Sequence, residues 1–245
     1  MEEAKRLLRE ARAERRSPKN LEYCRPFREK RDELVEIVRP YQDQFQTLLQ
    51  KCTRDVVSYQ YATGGAVMHR GVYCPSPVLD IYTNVKRGRL LSDIKSKAKR
   101  SFKYGFDIHN RMRVVYRVEK HGSTEIILYE KDKELGLTFA SDGLLIEFSV
   151  CTFRDERITE YISGIYQYWD ESIHEFTDER YFYNEEGLCR TEIYDCFLDL
   201  PTVGHLELLF THNEDGYLEK YTFVDYKYNE KMREIQHDVD VKRKI

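Results

Sequence analysis

The feature that most constrains this chain is a strict alternation of side-chain character that begins after Asp107 and returns almost to the end. Met112, Val114, Tyr116 and Val118 fall on one side, with Arg111, Arg113 and Arg117 on the other. That is the pattern of an extended strand, whose successive side chains point to opposite faces. His121-Gly122-Ser123 turns the chain into a second run, Ile126 to Tyr129. The same grammar recurs as Ser141-Asp142-Gly143 before Leu144, Ile146, Phe148 and Val150; as Asn184-Glu185-Glu186-Gly187 before Leu188 to Tyr194; and as Asn213-Glu214-Asp215-Gly216 before Tyr217 to Tyr226. Each acidic turn ends on a glycine that can take positive φ. These glycines are 44 and then 29 residues apart, too irregular for a propeller or solenoid of fixed period. An antiparallel meander is expected, and 19 Tyr and 12 Phe in 245 residues agree with it, since aromatic side chains suit a pleated, half-buried surface.

Upstream the period is helical. Ala4, Leu7, Leu8 and Ala11 recur at i, i+3, i+4 and i+7. Ser17-Pro18 then interrupts, with Ser17 as cap of a following helix and Asn20 as the competing cap. Leu34, Val38, Tyr41, Phe45, Leu48 and Cys52 form a seam that wants a partner surface, either the protein's own sheet or a second copy of the chain, and Pro40 should kink or break it. Val57, Tyr59 and Tyr61 then alternate up to a Thr63-Gly64-Gly65 turn, as in a hairpin, before the apolar stretch Ala66 to Met68. Cys74-Pro75-Ser76-Pro77 is a loop or edge. Leu79, Ile81 and Thr83 suggest another strand ending near Lys86-Arg87-Gly88, and residues 89 to 104 read equally as a short basic helix or a loop. The fold class expected is α+β, with N-terminal helices packed on a large antiparallel β-meander. The organisation expected is a helical arm over 1-57, a transitional hairpin and basic segment over 58-105, the acidic meander over 106-230 and a C-terminal tail over 231-245; residues 57-230 can also be read as one domain.

Three short stretches, Phe106-Asp107-Ile108-His109-Asn110-Arg111-Met112, Tyr183-Asn184-Glu185-Glu186-Gly187-Leu188 and Ile193-Tyr194-Asp195, resemble degenerate units of the tyrosine-aspartate repeats of bacterial Rhs-type proteins. The resemblance covers residues 106 to 228. It implies strand-turn-strand units building a β-sheet, and an association with polymorphic toxin systems.

Charge is segregated. The formal net charge is only −3, but residues 86 to 117 carry 11 basic and 2 acidic side chains, whereas residues 118 to 230 carry 9 basic and 26 acidic. Lys86, Arg87, Arg89, Lys95, Lys97, Lys99, Arg100 and Lys103 form a basic patch that could track phosphates while Phe102 and Tyr104 stack on bases, or that serves as an internal counterweight to the acids. In the meander Glu171, Glu175, Asp178, Glu179, Glu185 and Glu186, with Trp169, are the candidate docking residues for a basic protein partner; an ordinary solvated sheet face is the plainer reading. Trp169 shares strand parity with Tyr161 and Ile165, which places it in the core unless it walls a ligand.

Signatures of chemistry are sparse. No phosphate-binding glycine loop or Gly-x-Ser-x-Gly elbow occurs, His174-Glu175 lacks the second His of a zincin helix, and the six cysteines include no Cys-x-x-Cys pair. No metal or cofactor is expected. The best nucleophile pairings on offer are Cys196 with His205 and Cys151 with His174, because a thiolate needs a neighbouring base, although seven His and six Cys allow such pairings by chance. The start of the chain lacks a signal-peptide pattern and no apolar run is long enough to span a bilayer, so a cytoplasmic protein without membrane insertion is expected. Its expected function is that of a non-enzymatic interaction module of the immunity or inhibitor type. The alternatives are an enzyme with a pocket in the sheet concavity and nucleic-acid binding through residues 86-117.

Overall fold

A computed structural model describes residues 2–65, 70–83, 85–92, 99–118, 122–199, 201–239 and 245. The fold is α+β: three helices come first, and among the described residues thirteen antiparallel strands follow, consecutive as a meander from the third strand onward, with a single-turn fourth helix between the first and second. Two compact units divide the chain, one made of Met1–Ile37 with Ile173–Ile245 and the other of Val38–Ser172.

The first unit contains α1 (Glu2–Arg15), α2 (Pro18–Val38, but for its last residue) and the hairpin ladder β9 (Ser172–Asn184, but for its first residue), β10 (Gly187–Phe197), β11 (Thr202–His212), β12 (Leu218–Lys227) and β13 (Glu230–Asp238). Ser17 caps α2, its Oγ accepting from the Asn20 N–H at 3.2 Å, so the rival cap Asn20 is a third-position helix residue. The Asn20 side chain instead donates to the carbonyls of Arg15 and Pro201, tying the α1–α2 junction to the loop before β11. Helix α2 lies on one face of the ladder. The Phe27 and Tyr194 rings are 5.1 Å apart, and Tyr23 meets Tyr228 edge-on at 5.5 Å. The first part of the segment read as a tail, through Asp238, pairs as β13, with Phe223 opposite Ile235 and Tyr221 opposite His237.

The second unit contains α3 (Phe45–Arg54), the single turn α4 (Leu79–Tyr82), β1 (Ser58–Thr63), β2 (Arg89–Leu90), β3 (Phe102–Phe106), β4 (Met112–Arg117), β5 (Thr124–Glu130), β6 (Lys133–Phe139), β7 (Leu145–Arg154) and β8 (Arg157–Gln167), in the order β2-β1-β3-β4-β5-β6-β7-β8. Pro40 does break the seam: α2 ends at Val38 and a 3-10 turn spans Arg39–Tyr41. Leu34, Val38, Leu48 and Cys52 are all buried within the single chain, so the seam is spent intramolecularly. Phe45 of α3 packs on Phe139 at 5.0 Å, and Gly143 at φ 89 brings its turn against Phe45 where a Cβ would crowd the ring.

Two local expectations fail for identifiable reasons. Leu79, Ile81 and Thr83 do not form a strand; two prolines ahead of them leave a loop that closes into α4, with Thr83 Oγ1 bonding back to the Leu79 carbonyl. The strand parity read for Met112, Val114, Tyr116 and Val118 is broken by a bulge, since Gly105 pairs with Val114 but Phe106 pairs with Met112. Met112 therefore faces the core with Val115, beside Phe102, Tyr104, Phe106 and Ile127, and Arg117 turns inward as well.

Candidate functional site

Beneath the second unit's sheet lies a charged cluster centred on Arg70. Its Nε donates to Glu125 Oε1 at 2.7 Å, Nη1 bonds Glu134, and Nη2 donates to Ser149 Oγ at 3.0 Å. The Arg70 carbonyl in turn accepts from Tyr104 Oη at 2.9 Å. The Arg70 side chain is 4% exposed and that of Glu125 6%. A slot for the guanidinium exists because Gly136 of β6 has no side chain: its strand neighbours are Ile127 and Ser149, and a Cβ there would overlap Glu125 Oε1, Ser149 Oγ and Arg70 Nη2. Burial opposes the Arg70 charge, but Glu125 and Glu134 more than offset it and hold the guanidinium protonated. A second inward arginine, Arg117, forks onto Glu147 with contacts of 2.6 and 3.3 Å.

Arg70, Glu125, Ser149, Arg117 and Glu147 line a small pocket together with Tyr161. Arg70 and Glu134 also border a more open cleft of about 520 Å³ whose walls include Tyr73, Phe106, Tyr129 and Phe153. Arg70 is not a ready anion receptor, because three of its five N–H groups are committed and two carboxylates already face it. The cluster's chemistry is that of a buried, charge-compensated ion network holding Arg70 on the sheet.

Neither nucleophile pair is assembled for catalysis. Cys151 is buried with its Sγ 3.9 Å from Glu134 Oε1, and burial, only partly opposed by Arg70, pushes its thiol well above the usual range. His174 is engaged by Asp199 within the other unit. Cys196 is 1% exposed, and burial with the nearby carboxylates Asp178 and Asp195 raises its thiol likewise. His205 is clamped between the rings of Tyr194 and Tyr226 at 4.4 and 4.6 Å, both close to parallel. Neither of its ring nitrogens has a hydrogen-bond partner among the described residues, and burial lowers its pKa.

The acidic candidates separate into two groups. Asp178 and Glu179 are 0% and 1% exposed and are removed from any docking surface: Arg180 donates to Asp178 at 2.8 Å and Tyr181 to Glu179 at 2.7 Å. Glu175 is half-buried, while Glu171, Glu185 and Glu186 are exposed. Glu171 has φ 51 and accepts from Gln42. Trp169 is not in the core; it sits in the turn after β8 at 84% exposure, with Tyr166 buried in its stead and Tyr168 against its edge. Parity misled there because the strand ends at Gln167, two residues before the tryptophan.

Of the basic patch, Lys95 and Lys97 lie outside the described residues. Arg87 is tied inward to Asp80 and to the Cys74 and Ser76 carbonyls, bracing the proline loop. Lys86, Arg89 and Lys99 are exposed, Arg100 lies over the Tyr61 ring and Lys103 over that of Tyr59. Phe102 and Tyr104, the rings expected to stack on bases, are 1% and 0% exposed and belong to the core cluster.

The residues that composition counts could not reveal are Glu214 and Asp215, exposed on the β11–β12 turn. That turn and the Glu185-Glu186 turn join strands two ladder steps apart, which puts them at the same end of the first unit about 10 Å from each other. Asparagine side chains lock both: Asn184 Oδ1 accepts from the Glu186 N–H at 2.9 Å, and Asn213 Oδ1 from the N–H groups of Asp215 and Tyr217. Among the described residues no group of three or more His, Cys, Asp or Glu side chains could hold a metal, and no helix is long and apolar enough to cross a membrane. The sequence matches no protein-family model and no curated protein.

Proposed function

We propose that this protein is a non-enzymatic interaction module, of the inhibitor or immunity type, that docks a basic protein through the acidic turn end of its first unit. The observation that carries the reading is the placement of Glu185, Glu186, Glu214 and Asp215 on two asparagine-locked turns at one end of the ladder. Their spacing of about 10 Å is comparable to the Debye length at physiological salt, so a partner meets their combined field. Turns held by asparagine side chains also lower the backbone ordering cost on binding. The likeness to tyrosine-aspartate repeats leads to the same class by an independent route. The buried, proton-retaining cysteines argue for binding over thiol catalysis.

The test compares the full chain with its Glu185→Lys, Glu186→Lys, Glu214→Lys, Asp215→Lys variant as bait in an extract of its source cells. A basic protein retained at about 50 mM salt, lost at about 500 mM and lost by the variant is the expected result. Identical capture by both baits would sink the proposal.

A further inference from the structure

Loss of Phe102 and Tyr104 to the core does not leave the basic segment without exposed rings, because the opposite face of the same strands carries others. Tyr59, Tyr61 and Thr63 alternate along β1; Tyr61 is registered opposite Lys103 of β3, Lys103 opposite Tyr116 of β4, and Thr63 opposite Arg89 of β2. Tyr59, Tyr61, Lys103, Tyr116 and Arg89 therefore share one face, the reverse of the one that buries Ala62, Phe102 and Tyr104. Tyr59 is 39% exposed, and Tyr61 and Tyr116 are half-buried, as rings lying on a sheet surface should be.

Cations are interleaved among these rings. Lys103 Nζ stands 3.9 Å from the Tyr59 centroid and 5.0 Å from that of Tyr116, and the Arg100 guanidinium is 4.2 Å from the Tyr61 centroid. The strand positions on this face from β1 to β4 are uncharged or basic; Gly105 and Val114 among them are buried, which leaves Tyr59, Tyr61, Thr63, Arg89, Lys103 and Tyr116 as its open part. Exposed Lys86 and Lys99 extend the same charge beyond its edge. A sheet face on which tyrosine rings alternate with guanidinium and ammonium groups fits one kind of occupant. Bases with two π-faces stack on the rings, and the phosphates between them meet the cations.

We infer that the β1–β3–β4 face of the second unit binds single-stranded nucleic acid, with Tyr59, Tyr61 and Tyr116 as stacking rings and Arg89, Arg100 and Lys103 as phosphate contacts. A duplex, whose bases are already stacked, offers the rings nothing. An acidic protein would use the cations but not the rings. This surface is separate from the acidic turns of the first unit, and either can fail without the other.

The experiment is fluorescence anisotropy of a labelled 12-nucleotide single strand titrated with the full chain, repeated with the matching duplex and with heparin as competitor. The expected result is single-strand binding that is at least about tenfold tighter than duplex binding. Three phosphate contacts give a slope of log affinity against log salt of about −2. Tyr59→Ala should weaken binding about fivefold or more, Tyr59→Phe should retain it, and Lys103→Gln should flatten the salt slope. Tyr59 is the ring of choice because its exposure spares the core; an unchanged melting temperature verifies that. Absence of binding at about 50 mM salt overturns the inference. So does equal affinity for strand and duplex, or binding insensitive to Tyr59→Ala, each of which would mean charge alone. Binding of an acidic protein in place of the oligonucleotide would likewise overturn it.

Discussion

The two units bury polar groups in opposite ways. In the second unit Arg70 keeps its charge out of water by giving its N–H groups to Glu125, Glu134 and Ser149. In the first unit His205 is held by two tyrosine rings, and its nitrogens find no partner among the described residues. A permanent cation survives desolvation only when carboxylates surround it, whereas an imidazole can shed its proton and be packed as an aromatic disc. The first solution is rigid and sensitive to any missing member; the second tolerates replacement by another flat ring.

That contrast can be broken most forcefully at Arg70. Arg70→Met leaves Glu125 and Glu134 buried without their cation, and chemical denaturation should record a loss of about 3–5 kcal/mol. Gly136→Ala drives a methyl into the same buried network and should cost about 1–3 kcal/mol by the same measurement, because its Cβ would overlap Glu125, Ser149 and Arg70. On the other side, His205→Phe keeps the stack and removes two unsatisfied nitrogens; stability at pH 7 should hold or rise by about 1 kcal/mol.

The His205 stack also predicts a pH signature. Burial lowers its folded-state pKa, so just below the unfolded value the unfolded chain binds more protons than the native one. Stability contributed by the neutral ring is present above about pH 6.5 and declines as pH falls through that value toward the folded pKa. Melting temperatures of wild type and His205→Phe should diverge across that window, with the variant flatter; parallel curves would show that the ring is not desolvated. The smallest effect belongs to the surface. Glu185→Lys with Glu186→Lys should change stability by less than about 0.5 kcal/mol, because both side chains are exposed and the turn is held by Asn184 rather than by their carboxylates.

Much of the fold was legible because it rests on local chemistry. Alternating aromatics and Asp-Gly or Glu-Gly turns announced β7, β10 and β12, and Gly143 and Gly216 do take positive φ. Turns without glycine passed unseen: Asp155-Glu156 and Tyr228-Asn229 adopt positive φ at both residues and close the β7–β8 and β12–β13 hairpins. Side-chain parity was legible only until a bulge intervened, which is why Met112 was assigned to the wrong face and why Trp169, beyond the end of its strand, was placed in the core; Arg117 does lie on the face opposite Tyr116 and Val114, but that face is buried too.

Of the candidate sites, sequence located the charges but not their accessibility. Lys103 and Arg100 stand among rings, as a basic and aromatic segment suggests, yet the rings are the exposed Tyr59 and the half-buried Tyr61 and Tyr116. Glu185 and Glu186 are presented to solvent while Asp178 and Glu179, a few residues earlier, are sealed within β9. The chain's own alternation and turn residues determined that it would fold as helices on an antiparallel meander, since those preferences act between neighbours in sequence. Only the tertiary structure decided which acids and rings face water, and that a glycine in β6 would hold a buried arginine, because strand register sets side-chain facing and register depends on partners far along the chain.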